Sequence, residues 1–542
     1  MAVAAMVQGP AFADENGGDI EAGKRLYESG MLASGEKLSG IGFGDAPVDG
    51  DYAACVRCHR KSGFGSYEGG YYIPPITQPY LFGGRDISRD DRFRALFMQA
   101  QTASFRHQVR RFRNREPYTI ESLAIALRDG IDPTGRSFER LMPRYALGDT
   151  DLRNLVAYLE TLSITLSEGV GPEYVELATV IHSDIDEAER RAMLATLSSF
   201  VEWYNERTRG DTQLAGHSVY GSSLYTRYSR LYRLHVWEID GSPETWREQL
   251  LAHYERQPVF SLVSGQVPGS WRPIGDLADE LGLPAIFPIT ELPHDVPELG
   301  GYTVYFNRGL LLESELMLDW LAGQPAGRVV QLVDSSEQSR RPAANLAALA
   351  AQRGSGLQIE TVDISGAVEP RLSLKADYLI VWLDGTASKQ LVDWKNQSGA
   401  ATILLPSNAI DVLRQQSGAE IGDDFLFSYP FALQQEHYPE RFRARAWMKT
   451  RGLEFDASRI QFQSYYAMLM FRDSFMHLLD HYHRDYLLEV LEHQIQGSPN
   501  PGLYPDLELA PRQRFASKSG FIVRLDATAE HGLVAVGDRI VP

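Results

Sequence analysis

The only two cysteines of the chain lie three positions apart and are followed at once by a histidine, in the pentapeptide Cys55-Val-Arg-Cys58-His59. Two thiols at this spacing can form thioethers with the two vinyl groups of one haem, and the next histidine can ligate the iron. A thioredoxin-like redox pair uses the same cysteine spacing, but it is expected at a strand-to-helix junction, and residues 40–51 before the motif have the composition of a loop. The pentapeptide therefore predicts one covalently bound haem c and excludes a disulfide-rich scaffold and a four-cysteine zinc site.

An iron held by one histidine needs a second axial ligand, and Met142 is the residue that we predict for it. Met142 precedes Pro143 in a predicted loop, just before a helix that the apolar spacing predicts over 149–162, with Asp149 as its cap. A thioether opposite an imidazole raises the reduction potential and favours electron transfer over oxygen chemistry. His107 is the alternative ligand, whereas Met98 has the pattern of a core residue.

Residues 14–165 resemble a class I c-type cytochrome. The positions that carry the resemblance are Gly23, Leu26, Tyr27, the motif 55–59, Pro74-Pro75, Met142-Pro143 and Tyr158. The resemblance implies an all-α domain in which the first and last helices cross and Gly23 lies against Tyr158. His59 and Met142 are further apart in the chain than a minimal member of this family needs, and residues 85–118 have the pattern of an insertion.

The predicted insertion is basic within an acidic chain. Residues 85–115 contain nine arginines and three aspartates, whereas the whole chain has 53 basic and 71 acidic residues and a net charge of −18. This negative charge argues against general binding to nucleic acid or to an anionic membrane. The basic segment can steer an acidic redox partner, dock on an acidic part of the same chain, or be solvated, and the sequence leaves these alternatives open.

The N-terminal residues carry a partial export signal. Residues 1–13 are small and apolar and end in Ala11-Phe12-Ala13 before a polar segment, which is the pattern of a signal-peptidase site. The basic residues that open a signal peptide are missing, so the pattern predicts an incomplete signal peptide, with a loose tail as the alternative. Because a c-type haem favours export, we expect a periplasmic protein. No later run of apolar residues is long enough to predict a transmembrane segment.

Residues 166–173 contain two glycines and a proline and predict a short linker. From residue 174 to residue 542, short apolar runs alternate with amphipathic helices, which is typical of a parallel α/β sheet. The strands predicted in this way include 177–182, 258–264, 284–288, 327–334 and 376–384, and the helices include 187–204 and 343–351. Ligands of such sheets bind at the carboxyl ends of the strands.

The order of these elements resembles a type I periplasmic solute-binding protein of the branched-chain amino-acid-binding class. The matching segments are 258–266, 274–290, 301–309, 328–336, 377–385 and 519–532. The resemblance implies two α/β lobes with crossovers near 301 and at 407–430, a small organic ligand in the cleft between them, and closure by hinge motion. By position in the family's motifs, the ligand-binding residues are Ser264, Gly265, Gln266, Ile289, Thr290, Ser335, Ser336 and Asp384.

The chain is also similar to binding proteins associated with PQQ-dependent alcohol dehydrogenase systems, which need a c-type cytochrome to accept electrons. Our first hypothesis is therefore a periplasmic electron-transfer protein with a fused solute-binding domain, whose redox partner is a periplasmic dehydrogenase. The alternative is a ligand sensor or solute receptor of the ABC-transporter type, with lobe closure coupled to the haem. A third hypothesis is a binding fold that has lost its ligand and serves only as a docking module.

Other chemistry has little support in the sequence. There is no nucleophile elbow or phosphate-binding loop, and no acid, base and nucleophile can be grouped, so we do not expect an enzyme. His477 and His481 are four positions apart on a predicted helix, with His483 close by. They could bind a metal, but we expect them to be exposed helix histidines.

Overall fold

The computed structural model describes residues 17–68, 71–83, 116–215, 228–296, 300–365, 375–383, 385–415, 422–433, 439–455, 457–497, 500, 502–526 and 532–542. The chain forms two compact units. Unit 1 consists of Met1–Ser167, Tyr220–Tyr228 and Leu478–Leu487, and unit 2 consists of Glu168–Val219, Ser229–His477 and Leu488–Pro542. A search of the described residues for a helix able to cross a membrane finds none. Unit 1 therefore ends inside the predicted linker 166–173, but it also includes a decapeptide from near the other end of the chain.

The described part of unit 1 is built mainly from short helices. They are α1 (Ile20–Ser29), α2 (Val56–His59), α3 (Gln78–Leu81), α4 (Ile120–Arg128) and α5 (Asp149–Thr161), with 3-10 turns at Phe43–Asp45 and Gly50–Ala53. The unit also contains the strands β1 (Ser39–Ile41), β2 (Pro47–Asp49), β3 (Ser66–Glu68), β4 (Tyr71–Ile73) and β5 (Arg144–Tyr145). Strands β2, β1 and β5 form one antiparallel sheet, and β3 and β4 pair as a hairpin. The prediction of an all-α domain is therefore wrong in part, because short strands between the helices form two small antiparallel sheets.

Helices α1 and α5 approach each other closely at Gly23. A Cβ atom at this position would lie 2.0 Å from the carbonyl oxygen of Asn154 and 2.9 Å from the Cβ of Tyr158. Only glycine leaves room for this contact between backbones. Leu26 and Tyr27, one turn further along α1, are buried in the core of the unit. The neighbours of Gly23 are those that the cytochrome resemblance implies.

The first part of unit 2 contains a parallel sheet of five strands. These are β6 (Tyr174–His182), β7 (Leu231–Ile239), β8 (Ser261–Val263), β9 (Ala285–Ile286) and β10 (Thr303–Val304), in the spatial order β10-β9-β8-β6-β7. Its helices are α6 (Glu187–Ala215), α7 (Pro243–Arg256) and α8 (Arg272–Leu281), and then α13 (Pro439–Thr450), α14 (Ser458–Met476) and α15 (Arg484–Gly497), which come much later in the chain. Side chains of α13 and α14 contact α6, since the rings of Trp447 and Tyr465 both lie within 6 Å of the Phe200 ring.

The second part of unit 2 contains a sheet of seven strands. These are β11 (Arg328–Val333), β12 (Gln358–Asp363), β13 (Tyr378–Val381), β14 (Thr402–Leu405), β15 (Phe425–Tyr429), β16 (Phe521–Leu525) and β17 (Leu533–Ala535), in the order β12-β11-β13-β14-β15-β16-β17. The helices are α9 (Leu310–Ala322), α10 (Glu337–Arg353), α11 (Ser388–Ser398) and α12 (Ala409–Gln415). The last two strands pair antiparallel as a closing hairpin, and the pairs from β12 to β15 are parallel. The predicted two-lobed α/β fold with parallel sheets is confirmed.

The chain passes between the two sheets three times. It leaves the first sheet after β10, returns after β15, and enters the second sheet again before β16. Segment 407–430, predicted as a crossover, instead stays in the second sheet, because β15 pairs with β14 and ends only at Tyr429. The third passage lies beside the first: the Tyr305 N–H donates to the Arg514 carbonyl at 2.7 Å, and the Ala516 N–H donates to the Tyr305 carbonyl at 3.1 Å.

Two helices are longer than the sequence pattern predicts. Helix α6 continues to Ala215, beyond the predicted end at 204. Helix α10 begins at Glu337 rather than near 343, because Ser336 caps it by accepting a hydrogen bond from the Ser339 N–H. Pro342 lies in the second turn of α10, where it does not end the helix.

Glu313, in the first turn of α9, joins that helix to the ends of β14 and β15. Its carboxylate accepts hydrogen bonds from the N–H of Ser407 at 2.7 Å and from the hydroxyls of Ser407 and Ser428 at 2.8 and 2.6 Å. Burial raises the pKa of Glu313 to about 7, since loss of water outweighs these hydrogen bonds and the charge of Glu291 adds to the effect. A protonated, neutral Glu313 carboxyl is therefore favoured over a wider pH range than for an exposed glutamate.

We expect Gly23→Ala to destabilise unit 1 by about 1–3 kcal/mol, because the added methyl forces α1 away from α5. The measurement is denaturant unfolding followed by circular dichroism. Gly210→Ala is the matched control, since Gly210 also lies in a helix but a Cβ atom there would meet no other part of the chain within 4 Å. Equal stability of the Gly23→Ala variant and the parent would contradict the close approach.

The free energy of unfolding of unit 2 should fall as the pH rises from about 4.5 to about 7. The unfolded carboxyl of Glu313 ionises first, so stability present below its unfolded pKa is lost as the pH passes the raised folded value. The shift corresponds to about 3 kcal/mol.

Glu313→Gln resembles the protonated acid and should remove this part of the pH dependence. Urea unfolding at several pH values, followed by tryptophan fluorescence, measures the pH dependence of the free energy of unfolding. Glu280→Gln is the control, because Glu280 is exposed and pairs with Arg247 at the surface. If Glu313→Gln keeps the pH profile of the parent, the assignment to Glu313 is wrong.

Candidate functional site

Unit 1 encloses a largely apolar cavity that contains three of the four predicted haem residues. Counted with its open mouth and the solvent space there, the cavity has a volume of about 910 Å³. Cys55, His59 and Met142 all line it. The other lining residues are Tyr27, Pro74, Pro75, Ile76, Tyr80, Leu81, Tyr118, Leu123, Ala126, Leu127, Arg136, Phe138, Tyr145, Leu155 and Leu159. The fold therefore brings together residues that are far apart in the sequence.

His59 is held in one tautomer by Pro74, which directly follows β4. Its Nδ1 donates a hydrogen bond to the carbonyl oxygen of Pro74 at 3.1 Å, so the ring proton must lie on Nδ1. Removal from bulk water lowers the pKa of His59 to about 4. The imidazole is therefore neutral at neutral pH, and Nε2 carries a lone pair that can ligate a metal.

The two cysteines flank a single helical turn. The His59 N–H donates to the Cys55 carbonyl at 2.9 Å, which winds the motif into α2 and places Cys55 at its start. Neither thiol forms a disulfide. Burial raises the pKa of Cys55 to about 12, whereas a thioredoxin-like pair needs a thiol that ionises readily. The βαβ context of such a pair is also missing from the described part of unit 1, so the geometry favours haem attachment over thiol exchange.

Arg144 fixes the loop that carries Met142. Its guanidinium donates to the carbonyl oxygens of Met142 at 2.6 Å and Phe138 at 2.7 Å. The guanidinium lies over Gly130, where a Cβ atom would be only 1.8 Å from Cζ of Arg144. Arg144 was not predicted from the sequence. The one local signal for it is Gly130, whose left-handed backbone and missing side chain leave room for the Arg144 guanidinium. His107, Met98 and the arginines of 85–115 lie outside the described residues.

In unit 2, two of the predicted ligand-binding segments are neighbours at the carboxyl ends of β8 and β9. The Ile289 N–H donates to the Gly265 carbonyl at 2.8 Å, and Gln266 pairs with Ile289 in a parallel bridge. The Thr290 hydroxyl accepts from the Leu292 N–H at 3.1 Å, so it is used within its own turn. These residues occupy the edge of the sheet where ligands of parallel α/β folds bind.

Two side chains of this edge already have partners within unit 2. The Ser264 hydroxyl is completely buried and lies 3.2 Å from the hydroxyl of Ser464 in α14. The Gln266 amide donates to the carboxylate of Glu189 at 2.7 Å. Ser264 has a backbone φ of 56°, a conformation that is rare for residues other than glycine and often occurs at functional sites.

The remaining predicted positions follow strands of the second sheet. Ser335 is exposed, and Ser336 caps α10 and donates its hydroxyl hydrogen to Asp334. Asp384 lies outside the described residues. The two lobes meet where the Arg341 guanidinium of α10 donates to the Pro293 carbonyl at 2.9 Å and the Asp295 carboxylate at 2.5 Å.

A group of aromatic residues beside Ser264 was not predicted. The rings of Phe287 and Phe306 stack at 4.4 Å, and Tyr466 of α14 lies 5.6 Å from Phe287. Tyr504 stacks on Phe306 at 4.9 Å. All four rings are buried, and the Tyr466 hydroxyl has no hydrogen-bond partner among the described residues. Periodicity gave no signal for this group, because its members come from four different segments of the chain.

The histidines near the C-terminal end do not lie on one helix. Helix α14 ends at Met476, and His477 follows as its cap. His481 and His483 are buried rather than exposed, and a search of the described residues finds no group of three side chains suited to a metal ion. The expectation of exposed helix positions is therefore wrong for His481 and His483.

No protein-family model matches the chain, and no curated protein matches it in sequence. Solved structures do match. A branched-chain amino-acid ABC transporter protein from Thermus thermophilus, solved with bound valine, is 14% identical, covers 69% of this chain and 98% of its own, and has a TM-score of 0.52. A type 1 periplasmic binding protein from Bordetella pertussis is 12% identical over 67% of this chain and 100% of its own, with a TM-score of 0.49. The first likeness shows that the chain has the type I periplasmic-binding-protein fold.

The hydrogen bond between Ser264 and Ser464 yields a prediction. Ser264→Ala should lower the free energy of unfolding of unit 2 by about 1–3 kcal/mol, because it leaves the buried Ser464 hydroxyl without a partner. The double variant Ser264→Ala/Ser464→Ala should cost less than the sum of the two single variants, since neither hydroxyl is then left alone. Urea unfolding of the four proteins measures this coupling, and strictly additive effects would show that the two hydroxyls do not interact.

Proposed function

We propose that this chain is a periplasmic solute receptor of the ABC-transporter binding-protein type that also carries one haem c and transfers electrons. Unit 2 would bind a small organic molecule between its two lobes. Unit 1 would hold the haem and exchange electrons with a partner protein, for which the sequence resemblance implies a periplasmic dehydrogenase of the PQQ type.

The fold of unit 2 supports solute binding. Its two parallel sheets are joined by three passages of the chain, and Ser264–Gln266 and Ile289–Thr290 stand together at the carboxyl edge of the first sheet. Three connections between two lobes permit the hinge closure by which such folds enclose a ligand. The aromatic rings of Phe287, Phe306, Tyr466 and Tyr504 pack in the buried interior next to this edge.

A single observation carries the haem proposal: Cys55, His59 and Met142 line one apolar cavity of about 910 Å³. His59 is neutral, and its Nδ1–H bond to Pro74 leaves Nε2 available for iron. Met142 would offer its thioether to the iron, and Cys55 and Cys58 would tether the haem. A bound haem c would supply reversible one-electron transfer at this site.

The residues of unit 1 would perform the supporting tasks. The Pro74 carbonyl orients the His59 ring, and Arg144 holds the loop of Met142 through two backbone carbonyls. The leucine and proline side chains around the cavity exclude water and so favour the reduced, less charged state of the iron.

The test is the mass of the full chain, exported from a host with cytochrome c maturation and measured under native and denaturing conditions. The denatured protein should retain the mass of one haem, because thioether bonds survive unfolding. A Cys55→Ser/Cys58→Ser variant should lose that mass, whereas Met142→Leu should retain it and show a lower reduction potential. Absence of a haem adduct from the parent protein would remove the electron-transfer proposal.

The same measurement tests the solute proposal separately. A small additional mass that is present under native conditions and lost on denaturation would identify a bound solute, and its value would restrict the solute's chemistry. If no such mass appears, isothermal titration follows with L-valine, the ligand of the Thermus thermophilus protein, and with L-phenylalanine, an amino acid with a larger, aromatic side chain. Failure of both probes to bind would favour a docking module over a receptor.

A further inference from the structure

Unit 1 contains a decapeptide, Leu478–Leu487, that comes from the far end of the chain. It follows α14 and continues into α15, both of which belong otherwise to unit 2. Within unit 1, the Ser167 N–H donates to the Tyr482 carbonyl at 3.0 Å, and the Arg484 N–H donates to the Ser167 hydroxyl at 3.1 Å. The decapeptide is thus hydrogen-bonded to the end of the segment that holds the cavity.

Three side chains of the decapeptide contact Phe64. The Phe64 ring lies 4.7 Å from the ring of His481, 5.6 Å from that of His483 and 4.6 Å from that of Tyr486. Phe64 is only 2% exposed in this arrangement. An ion pair between Lys61 and Asp485, at 3.5 Å, adds a second connection to the same loop. Both of these side-chain partners therefore lie within five residues of His59.

The loop that carries Phe64 is attached directly to the His59 site. The Gly65 N–H donates to the His59 carbonyl at 3.1 Å, and the Ser66 hydroxyl donates to the Cys58 carbonyl at 3.2 Å. A Cβ at Gly65 would lie 2.1 Å from the Ile73 carbonyl, next to the Pro74 that accepts the His59 hydrogen bond. A shift of Phe64 would therefore move the backbone that orients the His59 ring.

Phe64 also lies behind one wall of the cavity. Its ring meets the Tyr80 ring edge to face at 6.4 Å, and Tyr80 lines the cavity. His481 approaches the same Tyr80 ring at 6.4 Å. The decapeptide therefore covers this wall from outside with aromatic side chains.

We propose that Leu478–Leu487 is a positioning segment of the haem site, which fixes the loop after His59 and raises the reduction potential of the haem by keeping water from the Tyr80 wall. The inference rests on the proposed haem function of unit 1. It gives the C-terminal half of the chain a direct part in that site, which a cytochrome domain ending at residue 165 would lack. The physical reason is that water stabilises the oxidised iron, which bears one more positive charge than the reduced iron.

The experiment uses the full chain with a His481→Ala/Tyr486→Leu double variant, which removes two of the three decapeptide rings that lie against Phe64 (His481, His483 and Tyr486). We expect the covalent haem mass to be retained and the ferric-to-ferrous ratio at a fixed applied potential to rise about tenfold, which is 59 mV for a one-electron couple. The absorption band of sulfur-ligated ferric haem reports in parallel whether Met142 stays bound. Tyr482→Phe is the matched control: it keeps the ring and removes only the hydroxyl that donates to the Tyr228 carbonyl.

Each outcome decides a separate claim. A haem-loaded double variant with the parent's potential overturns the positioning role and leaves the proposed haem function intact. A parent protein without covalent haem ends the haem proposal itself. If the double variant does not accumulate, Phe64→Leu removes the other side of the same contact, and the same comparison with Tyr482→Phe applies. An equal drop in potential for Tyr482→Phe would show a general loss of stability rather than an effect of the rings on Phe64.

Discussion

The backbone contact between α1 and α5 at Gly23 is the constraint on which unit 1 depends. Because Gly23 lacks a side chain, the two helices meet at the carbonyl of Asn154, and their remaining apolar residues close one end of the cavity. Leu155 and Leu159 of α5 line the cavity, as does Tyr27 of α1. The same core also holds His59 in place. The Tyr27 hydroxyl donates a hydrogen bond at 2.6 Å to the carbonyl of Arg60, the residue directly after the Cys55–His59 motif.

Unit 2 depends on a different contact, between the first and third passages of the chain from one sheet to the other. Arg514 is almost fully buried, and it donates to the carboxylate of Glu492 at 2.7 Å and to the carbonyl of Gly301. A buried pair of this kind is costly to break, because removal of one partner leaves an uncompensated charge. It therefore helps to fix how the first and third passages lie side by side.

The two halves of the proposed function rest on different kinds of support. The likeness to solved binding proteins concerns the fold of the chain at low sequence identity. The haem proposal comes from one cavity and from the chemistry of the residues that line it. The decapeptide Leu478–Leu487 connects the haem-binding and solute-binding parts along the chain. It follows directly on α14, and Ser464 of α14 contacts Ser264 at the predicted ligand-binding edge.

The sequence alone determined the features that depend on local spacing. The motif at Cys55–His59 and the alternation of strands and helices after residue 174 can be recognised from short segments, whereas the contact at Gly23 was implied only by the cytochrome resemblance. Tertiary structure decided which distant side chains share a site. Ser464 lies opposite Ser264 although 200 residues separate them, and Phe64 is covered by rings from Leu478–Leu487. Periodicity shows that a residue is buried, but not which other segment buries it, because that choice depends on how the whole chain folds.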